Sequence, residues 1–106
     1  SSGHSEFTKN FFNGYALTMD DLYLKVNGNK ANSVIEAGSG DGMQLLAFKN
    51  IGYDVLGIEP SDYLVKAAND CGIKTDLKLF DTNLPIQSCF DLCISSYYVL
   101  HSFLLD

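Results

Sequence analysis

The sequence predicts an α/β fold in which a parallel β-sheet is flanked by helices. Short apolar runs alternate along the chain with segments of roughly ten residues that have helical spacing, which is the pattern of βαβ units. Glycines at positions 28, 52 and 72 each follow a helical segment, where positive backbone φ angles commonly end a helix. A third observation is a glycine-rich turn, residues 38–42, that joins the first apolar run to the next helical segment. We therefore expect one compact domain with right-handed crossovers.

The elements are predicted in the order helix, strand, helix, strand, helix, strand, strand, helix. Asp41 and Ser61 stand where side chains commonly cap the second and third helices. The predicted bounds are a helix over 7–26, a strand over 33–37, a helix from 43 to Gly52, a strand over 53–58, a helix from Ser61 to Gly72, strands near 75–80 and 90–96, and a helix that begins over 99–105. One face of the first helix should be formed by Tyr15, Met19, Leu22, Tyr23 and Val26.

Composition excludes several classes of function. The net charge is −6, and the seven basic residues are lysines scattered singly along the chain. Because nucleic-acid binding depends on a basic face, we expect no nucleic-acid partner. No apolar run approaches the roughly 20 residues that span a bilayer, and no signal peptide is visible, so we expect no membrane association and a cytoplasmic protein.

Neither the cysteines nor the N-terminal residues are expected to form a ligand site. Cys71, Cys89 and Cys93 are odd in number and lack metal-ligand spacing, so we expect buried, reduced thiols and no metal site. Residues 1–5 resemble a scar left by cloning, which removes His4 as a candidate ligand. The domain should therefore cover residues 6–106.

The first candidate site is the glycine-rich turn after the first strand. Dinucleotide enzymes use Gly-x-Gly-x-x-Gly, whereas this chain has Gly38, Gly40 and Gly42, with Met43 where the third dinucleotide glycine would fall. The carboxylate of Glu36 suits a cofactor with a cationic aminoacyl end better than a pyrophosphate. A tight connection without any ligand is the alternative. The candidate binding residues here are Glu36, Gly38, Ser39, Gly40, Asp41 and Gly42.

A second candidate lies at the end of the second strand, where Glu59 is followed by Pro60 and Ser61. A carboxylate at this position can accept hydrogen bonds from both hydroxyls of a ribose. The alternative is a solvated acid at the end of a strand. Because Glu59 occurs together with the glycine-rich turn, the binding role is favoured.

Two further groups of residues follow the third and fourth strands. Asp81 and Thr82 precede Leu84 and Pro85, and Asp81 could accept a hydrogen bond from an adenine amino group. Ordinary loop chemistry explains these residues equally well. After the fourth strand, Ser95, Ser96 and Tyr97 would border the pocket. His101 and Tyr98 are candidate general bases, although a single histidine is more often a packed or surface residue.

Together these motifs resemble the class I S-adenosylmethionine-dependent methyltransferases, whose fold is Rossmann-like. The family's acidic residue before Gly-x-Gly-x-Gly is matched by Glu36 to Gly42, and the acidic end of its second strand is matched by Glu59. The later motifs are matched by Asp81 before Leu84-Pro85 and by Phe90-Asp91 before Val99-Leu100-His101. Residues 52–61 and 72–75 look more narrowly like the sugar C-methyltransferases, whose usual Asn before Asp-Gly is here Gly40.

The resemblance implies that S-adenosylmethionine is the cofactor and that a small molecule accepts the methyl group. The glycine-rich turn would lie against the methionine part, Glu59 would hold the ribose and Asp81 the adenine. The methyl group would face a pocket near Tyr97, Tyr98 and His101.

The number of strands departs from the family, which has seven where four are predicted here. The sequence is therefore expected to be the cofactor-binding half of the domain, with a sheet truncated after the fourth strand. Another chain could complete that sheet in an oligomer. The alternatives are a fragment of a nicotinamide-dependent oxidoreductase and a non-catalytic assembly module.

Overall fold

The computed structural model describes residues 5–78 and 90–95 and confirms the predicted α/β class. The helices are α1 (Glu6–Asn27), α2 (Met43–Asn50) and α3 (Asp62–Asp70), and the strands are β1 (Ser33–Ala37), β2 (Asp54–Glu59), β3 (Thr75–Leu77) and β4 (Leu92–Ile94). The third strand ends before the predicted boundary, and residues 79–80 lie outside the described part. The helix predicted over 99–105 also lies outside it.

The four strands form one parallel sheet in the order β3-β2-β1-β4. The chain runs outward from β1 through β2 to β3 and then crosses to the other side of β1 for β4. This reversal places the switch point of the sheet between β1 and β4, and ligands of such sheets bind beyond the carboxyl ends of the strands. In register across the sheet, Glu36 lies beside Gly57 on one side and Ile94 on the other.

Helix ends are defined by local chemistry. Ser5 caps α1 by accepting a hydrogen bond from the amide of Thr8 at 3.1 Å, so a residue that sequence analysis left outside the domain takes part in the fold. Gly28 ends α1 at a φ of 79°, and its amide donates to the Leu24 carbonyl at 2.8 Å. The predicted capping of α3 by Ser61 is confirmed by its bond from the Leu64 amide at 3.3 Å.

All three helices contribute to one apolar cluster with the strands. Its fully buried members include Phe48 from α2, Ala68 from α3 and Val34 from β1, and Ala16 joins them from α1. The ring of Phe48 makes edge contacts with Tyr53 at a centroid distance of 5.1 Å and with Tyr15 at 6.3 Å. Phe48 on α2 therefore contacts both α1 and the residue that precedes β2.

The predicted apolar face of α1 is only partly right. Tyr15, Met19 and Tyr23 pack against the cluster as expected, but Leu22 and Val26 are 48% and 80% exposed. The packed face is centred on Ala16, and Leu22 and Val26 fall to its side. Helical spacing alone does not fix which of several overlapping stripes faces the apolar cluster.

The prediction of buried cysteines is wrong for the two that the structure describes. Cys71 and Cys93 are both exposed. Cys71 ends α3 as its C-cap, beyond the buried Ala68, and Cys93 alternates with the buried Ile94 along β4. Cys89 lies outside the described residues.

Side chains tie the amino ends of β1 and β4 together. Asp91 accepts a hydrogen bond from the Asn32 amide at 2.7 Å, and its own amide donates to Ser33 Oγ at 2.9 Å. The Phe-Asp motif singled out in the sequence thus has a structural use at the edge of the sheet opposite the glycine-rich turn.

A buried tyrosine links β2 to α1 at this same end of the sheet. The hydroxyl of Tyr53 donates to Asp20 at 2.7 Å, and Asp20 also forms an ion pair with Lys30 at 3.1 Å. The bond from Tyr53, with a smaller contribution from Lys30, lowers the pKa of Asp20 below its ordinary value of 3.8. Burial and then the same hydrogen bond raise the pKa of Tyr53.

We expect Tyr53→Phe to lower the free energy of unfolding by about 1.5 kcal/mol, the lower end for a bond to a charged group, because Asp20 keeps its pair with Lys30. A depressed carboxylate pKa contributes stability above the unfolded-state pKa, and that contribution is lost as the pH falls through the folded-state pKa. The difference between wild type and variant should therefore be full at pH 7 and shrink below about pH 4. Urea unfolding at pH 7 and below about pH 4 measures this difference in the free energy of unfolding. A difference that does not change with pH would contradict the role of Asp20.

Candidate cofactor-binding site

The glycine loop (residues 38–42) lies at the carboxyl end of β1, between the ends of β2 and β4. Gly38, Gly40 and Gly42 have φ angles of 76°, 60° and 86°, a region that side chains with a Cβ rarely adopt. The prediction of a tight turn built on three glycines is therefore confirmed. The turn reverses the chain at the edge of the sheet where a ligand would bind.

The loop is fastened to β2 through its backbone. The amides of Gly38 and Ser39 donate to the Ile58 carbonyl at 2.7 and 3.3 Å. The amide of Gly40 donates to Glu59 Oε1 at 2.8 Å. Three successive amides of the loop thus have partners on the last two residues of β2, which fixes the position of the loop relative to Glu59.

Glu59 is an anchored acidic side chain at this edge. It is only 6% exposed, and its second oxygen, Oε2, accepts from the Ser61 amide at 2.9 Å. An ionised carboxylate offers about four lone-pair positions, so about two remain for a ligand. The two backbone bonds hold the carboxylate in one orientation, which suits recognition of a pair of neighbouring hydroxyls.

Asp41 does not cap α2 in the predicted way. The N-cap is Gly42, and Asp41 Oδ1 instead accepts from the Met43 amide, two residues on, at 3.3 Å. The extra turn at Gly42 moves the helix start by one residue, so Asp41 closes a local turn before the helix.

Glu36 is 2% exposed and lies on β1 just before the loop. Burial, and then the negative charge of Glu36, raise the pKa of Tyr15 on α1. The carboxylate of Glu36 is therefore close enough to the phenol of Tyr15 for its charge to act on it. Its predicted contact with a cationic aminoacyl group stays a prediction.

The remaining predicted residues fall into two groups. Pro60 and Ser61 follow Glu59 directly, but the Ser61 hydroxyl is used to cap α3. Ser95 follows β4 at the same edge as the glycine loop. Outside the described residues lie Asp81, Thr82, Ser96, Tyr97, Tyr98 and His101.

Two features of the site were missed by sequence reasoning. Gln44 is buried in the first turn of α2, and its Nε2 donates to the Phe12 carbonyl at 2.8 Å, which holds α1 against the helix that follows the loop. Asn69 exchanges two hydrogen bonds with the backbone of Thr75, at 3.0 and 3.1 Å, and so fixes β3 to α3. A polar residue inside an apolar helical stripe, as at Gln44, is the signal that could have indicated the first of these.

Gly42 offers a test of how tightly the loop packs. A Cβ added there would lie 3.0–3.2 Å from the fully buried side chain of Ile73, and the φ of 86° adds strain of about 1–2 kcal/mol for an L-residue. We expect Gly42→Ala to lower the free energy of unfolding by at least that amount, measured by urea unfolding. Gly28→Ala is the matched control, because Gly28 has a φ of 79° and open space around it. A loss at Gly42 no larger than the loss at Gly28 would contradict the contact with Ile73.

The part of the chain that the structure describes contains neither a cluster of metal ligands nor a membrane-spanning helix. Within 5–78 and 90–95, no group of three or more His, Cys, Asp or Glu residues could hold a metal ion. Over the same residues, no helix has the length and apolar character needed to cross a membrane.

The fold and the loop define an α/β domain of the kind that binds nucleotide-like cofactors at its switch point. Residues 35–105 match the methyltransferase domain family, and this match covers more than half of the chain. The chain therefore belongs to the methyltransferase domain family, as its motifs predicted. Comparison with curated protein sequences finds no match.

Solved methyltransferase structures share the fold. The plantazolicin methyltransferase BpumL in complex with S-adenosylhomocysteine (SAH) superimposes with a TM-score of 0.65 and 24% identity over 84% of this chain and 35% of that one. The sugar N-methyltransferase from a Streptoalloteichus species gives 0.61 and 20%, over 78% and 34%. The amino pentose methyltransferase from Micromonospora echinaspora, solved with S-adenosylmethionine, gives 0.60 and 21%, over 88% and 37%. The chain thus spans about a third of the length of these structures.

Proposed function

We propose that this chain binds S-adenosylmethionine at the carboxyl edge of its sheet, as the cofactor-binding part of a methyltransferase that acts on a small molecule. The observation that carries the proposal is the anchored carboxylate of Glu59. It is held by the amides of Gly40 and Ser61 and keeps about two acceptor positions for the ribose hydroxyls. A solvated acid at a strand end, the alternative considered from the sequence, would not be 6% exposed.

The residues of the edge divide the cofactor between them. The glycine loop offers a surface without side chains at three of its five positions, so the methionine part can approach the backbone closely. Glu36 provides negative charge for the ammonium group, and Asp81 and Thr82 are proposed to contact the adenine. When bound, the cofactor supplies a methyl group on a sulfonium that is already a good leaving group. The task of the chain is therefore to orient the two reactants and to exclude water.

Ser95, Ser96 and Tyr97 are proposed to border the cofactor, and the acceptor is proposed to be a small molecule that binds near Tyr97, Tyr98 and His101. His101 or Tyr98 is proposed to take a proton where the acceptor must lose one. The similar solved structures include a sugar N-methyltransferase and an amino pentose methyltransferase, which supports an amino sugar as the first acceptor class to test.

Calorimetric titration with SAH tests the proposal, with NAD⁺ as the comparison ligand. We expect saturable binding of SAH at one site per chain and no displacement of SAH by NAD⁺. Binding of NAD⁺ in place of SAH would instead support the oxidoreductase alternative. A folded chain that binds neither would favour the non-catalytic module.

An oligomer and a cytoplasmic location are also part of the proposal. Among the described strands, β3 and β4 each pair with one neighbour only, which leaves an edge at either side of the sheet. Light scattering over a range of concentrations tests whether a second chain associates with this one.

A further inference from the structure

Gly57 lies in the middle of β2, where its backbone conformation does not require glycine. Its φ is not among the positive angles of the chain, and it pairs with Glu36 on β1 and Thr75 on β3 in regular parallel register. Glycine within a strand is less favourable than alanine. A glycine here therefore needs an explanation in its surroundings.

The space that a side chain at Gly57 would occupy is filled by Ser39 of the glycine loop. A Cβ built on Gly57 would overlap with Ser39 Oγ and would lie 2.9 Å from Ser39 Cβ and 3.1 Å from Thr75 Oγ1. Ser39 and Thr75 are 6% and 5% exposed, so neither can swing out into solvent. Thr75 is held further by the bond from its Oγ1 to the Ile73 carbonyl at 2.9 Å.

The contact of Ser39 with Gly57 lies next to the backbone hydrogen bonds between the loop and β2. Residues 38 and 39 bond to Ile58 through their amides, and the amide of Gly40 bonds to Glu59. The side chain of Ser39 adds a contact with Gly57, one residue earlier on the strand. The loop therefore rests on three consecutive residues of β2, of which the last carries the anchored carboxylate.

We propose that Gly57 is a positioning residue for the cofactor site. Its missing side chain lets Ser39 sit directly against β2, and this contact sets the distance at which the Gly40 amide reaches Glu59. A Cβ at position 57 pushes the loop outward and releases Glu59 from one of its two backbone donors. The proposal rests on the proposed cofactor binding and goes beyond it, because it assigns cofactor affinity to a residue that does not touch the cofactor.

The test is calorimetric titration of SAH into five variant chains together with wild type. Gly57→Ala should raise the Kd for SAH about tenfold or more, as expected when the carboxylate of Glu59 loses its orientation toward the ribose. Combining it with Ser39→Gly removes the overlapping atoms, so the double variant should bind as Ser39→Gly alone does. Gly14→Ala is the matched control, since an added Cβ meets nothing within 4 Å at that exposed position on α1. It should bind as wild type.

Tyr53→Phe separates positioning from loss of stability. It destabilises the chain at the opposite edge of the sheet and should leave the Kd unchanged, whereas Gly57→Ala should raise the Kd of chains that thermal unfolding shows to be folded. If Gly57→Ala does not fold, recovery of folding and binding in the double variant supports the proposal. Failure of both variants to fold overturns it.

Equal affinity of Gly57→Ala and wild type would overturn the positioning role while leaving the cofactor site intact. The same is true if the double variant binds SAH more weakly than Ser39→Gly alone does. Absence of SAH binding by wild type is a different outcome, because it contradicts the proposed function itself.

Discussion

Replacing Glu59 with alanine is expected to weaken the binding of SAH by roughly 10- to 150-fold. The ribose hydroxyls would lose a charged acceptor, and hydrogen bonds to charged groups contribute about 1.5–3 kcal/mol. The same substitution removes the partner of the Gly40 amide, so the glycine loop also loses a bond of 2.8 Å that holds it against β2. Calorimetric titration of the folded variant measures the effect directly.

Asp54→Ala is the matched control for this prediction. Asp54 is an exposed carboxylate at the opposite end of the same strand, so its removal changes the net charge equally without touching the site. Glu59→Gln adds a second comparison, because it keeps the size of the side chain. Its side-chain NH₂ group, a donor, would face the backbone amide of either Gly40 or Ser61, which is also a donor. We expect Asp54→Ala to bind SAH as wild type does. Equal losses in the two alanine variants would show that overall charge, and not the placement of Glu59, governs affinity.

Phe48→Ala should lower the free energy of unfolding by about 3–5 kcal/mol, the largest effect on stability that we predict. Phe48 has no exposed surface, and its ring lies between those of Tyr15 and Tyr53. Truncation opens a cavity where α1, α2 and β2 meet, and these elements cannot close around it without moving the whole of α1. Since small domains are only marginally stable, a loss of this size removes a large part of the total.

Urea unfolding of Phe48→Ala beside Phe11→Ala tests this interpretation of the core. Phe11 is on α1 and is 62% exposed, so its truncation should change stability by no more than about 0.5 kcal/mol. A small effect at Phe48, or similar effects at both positions, would contradict the placement of Phe48 at the centre of the packing.

The sequence was most informative where local chemistry decides the structure. The glycines at 38, 40 and 42 predicted a turn between strand and helix, and all three have positive φ angles. Ser61 predicted the start of α3, and alternation of apolar runs with helical spacing predicted the parallel sheet. Each of these features depends on residues close together in the chain, so a short stretch of sequence contains the information.

Contacts between distant segments could not be predicted in the same way. The contact between Ser39 and Gly57 joins the glycine loop to β2, and nothing in the sequence of either segment alone indicates that the two meet. The rotation of α1 about its axis is another example, because Leu22 and Val26 fit a helical stripe as well as Ala16 does. Which stripe is buried depends on the position of α2 and its Phe48.

We claim that a cofactor binds where the glycine loop meets the end of β2. Amide NMR spectra recorded during titration with SAH test this claim most directly, because each backbone amide reports on its own surroundings. We predict that the largest shifts fall on the amides of residues 38–42, Glu59 and Ser61, while the amides of Asp54 and Gly72 at the opposite edge stay nearly unchanged. Saturable binding that shifts the opposite edge and leaves the glycine loop unperturbed would contradict it.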